Sequence, residues 1–167
     1  QYPYLPCKLQ ISRRLAQCLN PSLPAGVHAK ALDLYDTIFT KMGHDILVED
    51  FYLFSIGLLP FFEFSNTVTK PQFFNIVRKH VLPCMHRLKA SWPGIFASIF
   101  TGLDDDSSEF FQQTKAVIEN IQSDLGLNVF SQEIMTLFKG SRRHRLCIVN
   151  YVQKCETFPR TKRSSNI

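Results

Sequence analysis

The chain has 167 residues, of which 45% are hydrophobic and 13% aromatic, so it can bury one substantial core without disulfides or metals. Its seven glycines and its long apolar-periodic stretches argue against a β-sandwich or a barrel. The net charge of +5 permits weak attraction to anionic lipid, nucleic acid or acidic proteins, but it identifies none of them.

The first elements predict a helical hairpin. Ile11, Leu15 and Leu19 follow the spacing of one helix face, and the two prolines of segment 20–24 favour a turn. A second amphipathic helix then runs to Gly43, a residue type that is favoured just after a helix end. Because the turn is short, the two helices are expected to lie roughly antiparallel.

The middle of the chain predicts three further helices. Residues 51–62 form the most apolar stretch, which is shorter than the roughly 20 residues of a membrane span and predicts a helix buried on nearly all sides. After a polar loop at 65–67, Pro71 opens a helix that is interrupted near Pro83. Pro93 opens the next one.

An acidic cluster precedes the following helix. Asp104, Asp105 and Asp106 come just before Ser107 and Ser108, one of which is predicted to be the N-cap. Adjacent acids in this position stabilise the positive N-terminal end of a helix, and a divalent-cation site is the alternative interpretation.

The last two helices are predicted at about 129–139 and 141–155, the second with Ile148, Val149 and Val152 turned inward.

We expect residues 1–156 to form one domain and the basic segment 157–167 to be a flexible tail or linker. About eight helices joined by short turns predict an all-α fold of stacked antiparallel helical hairpins, an α-solenoid of the HEAT or armadillo kind. A closed helical bundle is the alternative.

Motifs that carry catalysis are missing from the sequence. It contains no phosphate-binding loop, nucleophile elbow, zinc-protease motif or dinucleotide-binding motif. Its five cysteines include no C-x-x-C pair and are expected to be small buried hydrophobes in a reducing cytosol. His80, Cys84 and His86 lack a clear fourth metal ligand. We therefore expect no enzyme, no metal and no cofactor.

Two sets of cations are candidate binding residues. Arg142, Arg143 and Arg145 fall in the first turn of the last helix, where the macrodipole disfavours positive charge and an anion would compensate. We expect Arg145 to pair internally with the region 104–109, which leaves Arg142 and Arg143 for anionic lipid or an acidic partner. Three solvated arginines are the alternative. The second set is a candidate basic face, for which simple solvation is again the alternative: Lys8, Arg13, Arg14 and Lys30.

The contiguous stretch Lys8–Leu32 closely resembles the N-terminal signature of the Dopey family. The resemblance continues more loosely through 57–60, 102–105 and 108–110 and through Arg145 in the last helix, and it covers about the first 155 residues. The chain has Thr101 where the family usually has a helix-breaking proline. The signature residues, which we interpret as largely structural, are Leu15, Cys18, Leu19, Pro21, Leu23, Pro24, Gly26, Val27 and His28.

This resemblance implies a non-catalytic scaffold or adaptor domain of a very large cytosolic protein, acting peripherally at Golgi and endosomal membranes. Implied partners are a large scaffold related to Arf exchange factors, a phospholipid flippase, kinesin light chain and membranes with phosphatidylinositol 4-phosphate. The alternative, a nucleic-acid-binding helical repeat, is motivated by the net charge and the arginine cluster. It predicts a continuous basic groove, whereas a scaffold predicts separate basic patches and no nucleic-acid partner.

Overall fold

Every regular element in residues 5–105 and 107–154, which the computed structural model describes, is helical, so the predicted all-α class is confirmed. The α-helices are α1 Lys8–Cys18, α2 Ala25–Phe61, α3 Thr69–Ile76, α4 Trp92–Phe100, α5 Phe111–Leu125, α6 Leu127–Phe138 and α7 Arg142–Lys154. A π-helical turn at Val77–Val81 and four short 3₁₀ segments, Phe62–Phe64, Leu82–Arg87, Lys89–Ser91 and Thr101–Leu103, connect them. The predicted tail at 157–167 lies outside the described residues.

Helix α2 is bent back on itself at Gly43. This residue has φ 71° and ψ 169°, a conformation that glycine adopts without strain. The ring centroids of His28 and Phe61 lie 5.0 Å apart, whereas a straight helix would separate these residues by about 50 Å. The two halves, a first arm at 25–42 and a second arm at 44–61, therefore form an antiparallel hairpin. The helix end predicted at Gly43 is confirmed, and counting the arms separately gives eight helices in the described residues.

The second arm is less enclosed than its composition predicts. Phe51, Phe54 and Leu58 are buried, but Tyr52 is 58% exposed and Ile56 is 71% exposed. The two exposed residues are four positions apart and so share a helix face that no described element covers. The prediction of burial on nearly all sides is therefore wrong for this face.

The break near Pro83 is confirmed and has a local cause. Because proline lacks an N–H group, the carbonyl oxygen of Lys79 loses its usual helical donor. The chain responds with the π-helical turn and the following 3₁₀ segment, and His44 Nε2 lies 3.3 Å from the Lys79 oxygen. At the next junction the indole N–H of Trp92 donates to the Met85 carbonyl oxygen at 2.8 Å.

Helix α4 connects the N-terminal and C-terminal halves of the core. It packs against α2, α5, α6 and α7. The ring of Phe96 lies 5.6 Å from that of Phe130, and the ring of Phe100 lies 5.6 Å from that of Tyr151. Stacking of the hairpins into a solenoid stays a prediction.

A buried histidine joins the π-helical turn to the first arm. His80 is 2% exposed, and its Nε2 lies 2.7 Å from Asp36 Oδ1, which also accepts a hydrogen bond from Lys79 at 2.9 Å. Burial lowers the pKa of His80 below its usual 6.5; Asp36 opposes this shift, whereas the positive charges of Lys79 and His44 add to it. Burial raises the pKa of Asp36, but hydrogen bonds from His80 and Lys79 outweigh that effect and lower it.

We expect the free energy of unfolding to fall as the pH drops below about 6.5. His80 binds a proton more readily in the unfolded chain, so its contribution is complete above that pH and is lost as the pH falls through its range. Urea unfolding between pH 5 and 8 measures the effect. His80→Gln should flatten the profile, and the exposed His86 supplies the control variant His86→Gln. An unchanged slope in His80→Gln would contradict this assignment.

Candidate functional site

An ion-pair junction lies where α7 begins. Arg143 Nε is 2.5 Å from Asp104 Oδ2, and its Nη1 contacts Glu63 Oε1. Glu63 lies in the 3₁₀ turn after α2, and Asp104 follows the 3₁₀ turn after α4, so one arginine joins three parts of the chain. The predicted pair with the acidic region therefore exists, but Arg143 makes it. The prediction for Arg145 is wrong: its guanidinium donates to the Gly140 carbonyl oxygen at 2.7 Å.

Helical spacing explains why Arg143 occupies this position. Cys147 and Tyr151 form the buried side of α7, and Arg143 precedes them at intervals of four residues. Arg145 points elsewhere because it is rotated by about 200° from Arg143. The spacing of positions 143, 147 and 151 was available in the sequence and would have selected the correct arginine.

The carboxylate of Asp104 has a second partner on α7. The Cys147 thiol donates to Asp104 Oδ1, with 2.7 Å between sulfur and oxygen. Burial and the adjacent Asp104 raise the pKa of Cys147 to about 12, so its sulfur is a protonated donor rather than a reactive thiolate. Asn150 adds a hydrogen bond to the Leu103 carbonyl oxygen at 3.2 Å. These contacts fasten α7 to the turn after α4.

The other cysteines match the sequence-based expectation in part. Cys84 is buried and Cys18 is half-buried, as expected of small hydrophobes, but Cys7 is exposed. Cys7 lies just ahead of α1 in a left-handed conformation with φ 53°. Cys155 lies outside the described residues.

Asp104 and Asp105 do not cap α5, so the prediction is wrong for these two acids. The helix begins at Phe111, several residues too late for either of them to reach its first turn. Asp105 instead accepts hydrogen bonds from the Ser107 backbone N–H at 2.9 Å and from its hydroxyl at 2.6 Å. Ser108 Oγ accepts a hydrogen bond at 3.3 Å from the backbone N–H two residues further along the chain, and none of the described side chains caps the helix. Asp106 lies outside the described residues.

Within the described residues, no group of three or more His, Cys, Asp or Glu side chains is placed to hold a metal ion. No helix in the same part of the chain is long and apolar enough to cross a membrane.

Arg142 and Arg145 are accessible, and neither makes an ion pair with a described carboxylate. Arg142 is exposed and Arg145 is half-buried, and their spacing of three residues places them on one side of α7. Both lie in the first turn, where the helix presents its positive end. This arrangement favours binding of an anion.

The N-terminal basic face is smaller than the sequence suggests. Lys8 Nζ lies 2.6 Å from Oδ1 of the buried Asp50, so Lys8 stabilises the fold. Lys30 lies 3.7 Å from Asp33 one turn along the first arm. Arg13 and Arg14 stay exposed beside an open cleft of about 850 Å³ between α1 and the first arm.

The signature residues divide into a buried and an accessible set. Leu15, Leu19 and His28 are buried, and His28 Nε2 lies 2.8 Å from the Asn20 carbonyl oxygen, which fixes the turn between α1 and α2. The others are half-buried or exposed: Cys18, Pro21, Leu23, Pro24, Gly26 and Val27.

The sequence matches the family described as "Dopey, N-terminal" over residues 1–166. The chain belongs to the Dopey family. It is 36% identical to mouse Protein DOP1B over 130 residues, 78% of this chain. It is 30% identical to Caenorhabditis elegans Protein pad-1 over 148 residues and 29% identical to Saccharomyces cerevisiae Protein DOP1 over 145 residues, 89% and 86% of this chain. The matched regions make up 6%, 6% and 8% of these relatives. No solved structure matches the chain.

The resemblance seen in Lys8–Leu32 is thereby confirmed at the level of the family. In this Dopey-family chain the candidate cations that pair with no described carboxylate form two pairs on different helices, Arg142 with Arg145 on α7 and Arg13 with Arg14 on α1. These pairs are the candidate anion-binding sites.

Proposed function

We propose that this chain is a non-catalytic scaffold or adaptor domain of a Dopey-type protein that acts in membrane traffic between endosomes and Golgi. The observation that carries the proposal is the presence of two separate, accessible arginine pairs on a helical framework whose other candidate cations pair with carboxylates of the same chain. Such a surface suits docking on anionic lipid or acidic protein at a cytosolic membrane face.

The separation of the pairs favours docking over nucleic-acid binding. Helix α1 packs on α2, whereas α7 packs on α4 and α6. A nucleic-acid backbone requires a continuous cationic track. Arg143 and Lys8, which would extend each pair, are bound to carboxylates of the same chain.

Arginine chemistry specifies the kind of anion. The guanidinium group forms bidentate hydrogen bonds to phosphate and carboxylate, and two such groups at a helix N-terminus act together with the macrodipole. We propose phosphatidylinositol 4-phosphate membranes as the lipid surface. The proposed protein partners are the scaffold related to Arf exchange factors, a phospholipid flippase and kinesin light chain.

We expect the domain to co-sediment with vesicles containing phosphatidylinositol 4-phosphate at moderate salt, and Arg142→Glu/Arg145→Glu to weaken this binding by at least 30-fold. The figure follows from about 1 kcal/mol for each basic residue near an anionic surface. Because Arg143 is part of the fold, it is left unchanged. Arg13→Glu/Arg14→Glu has the same change in charge and serves as the matched variant.

If only Arg142→Glu/Arg145→Glu loses vesicle binding, the membrane contact lies on α7. If only Arg13→Glu/Arg14→Glu loses it, the contact lies on α1. Equal binding to vesicles without anionic lipid would contradict the anion-based contact. If no vesicle is bound, the membrane part of the proposal is wrong, and capture of the Arf-exchange-factor-related scaffold by the purified domain then tests the protein-docking part.

A further inference from the structure

An apolar groove runs between α6 and α7. It encloses about 340 Å³ and is lined almost entirely by carbon atoms. Ile134 and Ile148 form its floor and are 7% and 4% exposed. The walls are formed by Met135, Phe138, Val149 and Val152, which are 56%, 37%, 40% and 40% exposed.

The sequence gives α7 two apolar sides, and only one of them is covered. Cys147 and Tyr151 are buried against α4 and the turn after it, but Val149 and Val152 face the groove. The prediction that these two valines turn inward is therefore wrong for the described chain. Single exposed apolar residues are ordinary, whereas a contiguous set from two adjacent helices marks an interaction site.

The groove has the dimensions of a helix-binding site. Its walls follow helical spacing along α6 and α7, which are 12 and 13 residues long. The lining residues span 131–138 on α6 and 148–153 on α7, so at 1.5 Å per residue the walls extend for about 8–11 Å, or about two turns of a bound helix. A flat bilayer surface cannot reach the recessed floor, whereas the ridge of side chains on a helix can.

Basic residues lie at both ends of the groove, and most of them are where α7 begins. Arg142 and Arg145 lie at the start of α7, Lys139 lies at the end of α6, and Lys154 lies at the far end of α7. If a second copy packed on this face with its α7 parallel to the first, the arginines of the two copies would face each other. If its α7 were antiparallel, the arginines of each copy would face Lys154 of the other. Charge complementarity instead requires a partner that carries carboxylates.

We propose that the groove between α6 and α7 binds an acidic amphipathic helix of a partner protein. The bound helix runs antiparallel to α7, so that its negative C-terminal end and its carboxylates meet Arg142 and Arg145. Its apolar residues at i, i+3, i+4 and i+7 enter the groove. This inference deepens the proposed scaffold function and depends on it, because it names the chemistry of one docked partner.

The test uses two designed 18-residue amphipathic peptides with the same leucine face, one with glutamates and one with lysines in its last two turns. Binding to the purified chain is measured by fluorescence anisotropy. The test variant Met135→Ser/Val149→Ser replaces two apolar wall residues, which are exposed and therefore contribute little to folding. The control variant Leu34→Ser/Tyr52→Ser replaces two exposed apolar residues outside the groove. Circular dichroism and thermal unfolding check each variant.

We expect the glutamate peptide to bind and the Met135→Ser/Val149→Ser variant to bind it at least tenfold more weakly, while Leu34→Ser/Tyr52→Ser binds normally. Arg142→Glu/Arg145→Glu should lose the glutamate peptide and gain the lysine peptide. That exchange of preference requires direct pairing and does not follow from misfolding.

Several results would overturn the inference. The inference is wrong if neither peptide binds or if both peptides bind equally well. It is also wrong if the chain self-associates and Met135→Ser/Val149→Ser abolishes that self-association. A full-length protein in which the rest of the polypeptide protects the groove from hydrogen exchange would overturn it too. Vesicle binding that this serine variant abolishes would assign the groove to membrane and would overturn it as well. The serine variant keeps Arg142 and Arg145, so it separates the groove from the arginine pair. If the chain binds vesicles but neither peptide, the groove is not a helix-binding site and the proposed function stands.

Discussion

Replacing Gly57 with alanine is expected to destabilise the chain by about 3 kcal/mol, at the upper end for an overpacked core. A Cβ atom at this position would lie 2.5 Å from Ala16 Cβ, 2.6 Å from Ala16 Cα and 3.0 Å from the Tyr35 hydroxyl. Since one of these atoms belongs to the α1 backbone, relief requires that α1 shift away from the second arm. The added methyl group would also crowd the Tyr35 hydroxyl, which donates a hydrogen bond to the Phe54 carbonyl oxygen.

Gly26→Ala is the matched control, because no atom lies within 4 Å of the added methyl group and the residue is also helical. There the loss of a flexible glycine should stabilise the chain by about 0.5 kcal/mol. Urea unfolding of both variants measures the two free energies. Equal changes of the same sign would show that backbone propensity, rather than contact between α1 and the second arm, controls Gly57.

Local signals in the sequence were sufficient for most helix boundaries. Gly43 and Gly126 end helical segments with φ 71° and 77°, and Pro83 breaks the regular helix after α3, because backbone freedom and loss of a donor act within a few residues. The requirement for glycine at position 57 could not be seen, since it arises from contact with α1, about 40 residues away in sequence.

The candidate site was predicted with less success for a similar reason. Composition identified the arginine cluster, and helical spacing could have selected Arg143 as the arginine on the buried side of α7. Its partners Glu63 and Asp104 could not be predicted, because they are set by how α7 packs against the turns after α2 and α4. Periodicity marked Val149 and Val152 as apolar. Whether an apolar face is covered depends on which elements pack beside it, which the pattern of a single helix does not contain.

Reversing the charge of Arg143 is expected to destabilise the chain by about 2 kcal/mol. Arg143→Glu would place three carboxylates together with Glu63 and Asp104, and it would remove the link between α7 and the turns after α2 and α4. The arginine side chain is 41% exposed, so solvent reduces the effect below that of a fully buried pair. The loss should become smaller at 1 M salt because exposed like charges are screened.

Arg142→Glu tests the same change in charge one residue earlier. Arg142 is exposed and pairs with no described carboxylate, and a glutamate in the first turn of α7 interacts favourably with the positive helix end. We therefore expect a gain of about 0.5 kcal/mol, opposite in sign to Arg143→Glu, by urea unfolding at low salt. If both variants lost stability equally, general charge density at the start of α7 would explain the effect better than the junction with Glu63 and Asp104. Opposite signs would establish Arg143 as a residue of the fold and leave Arg142 for binding.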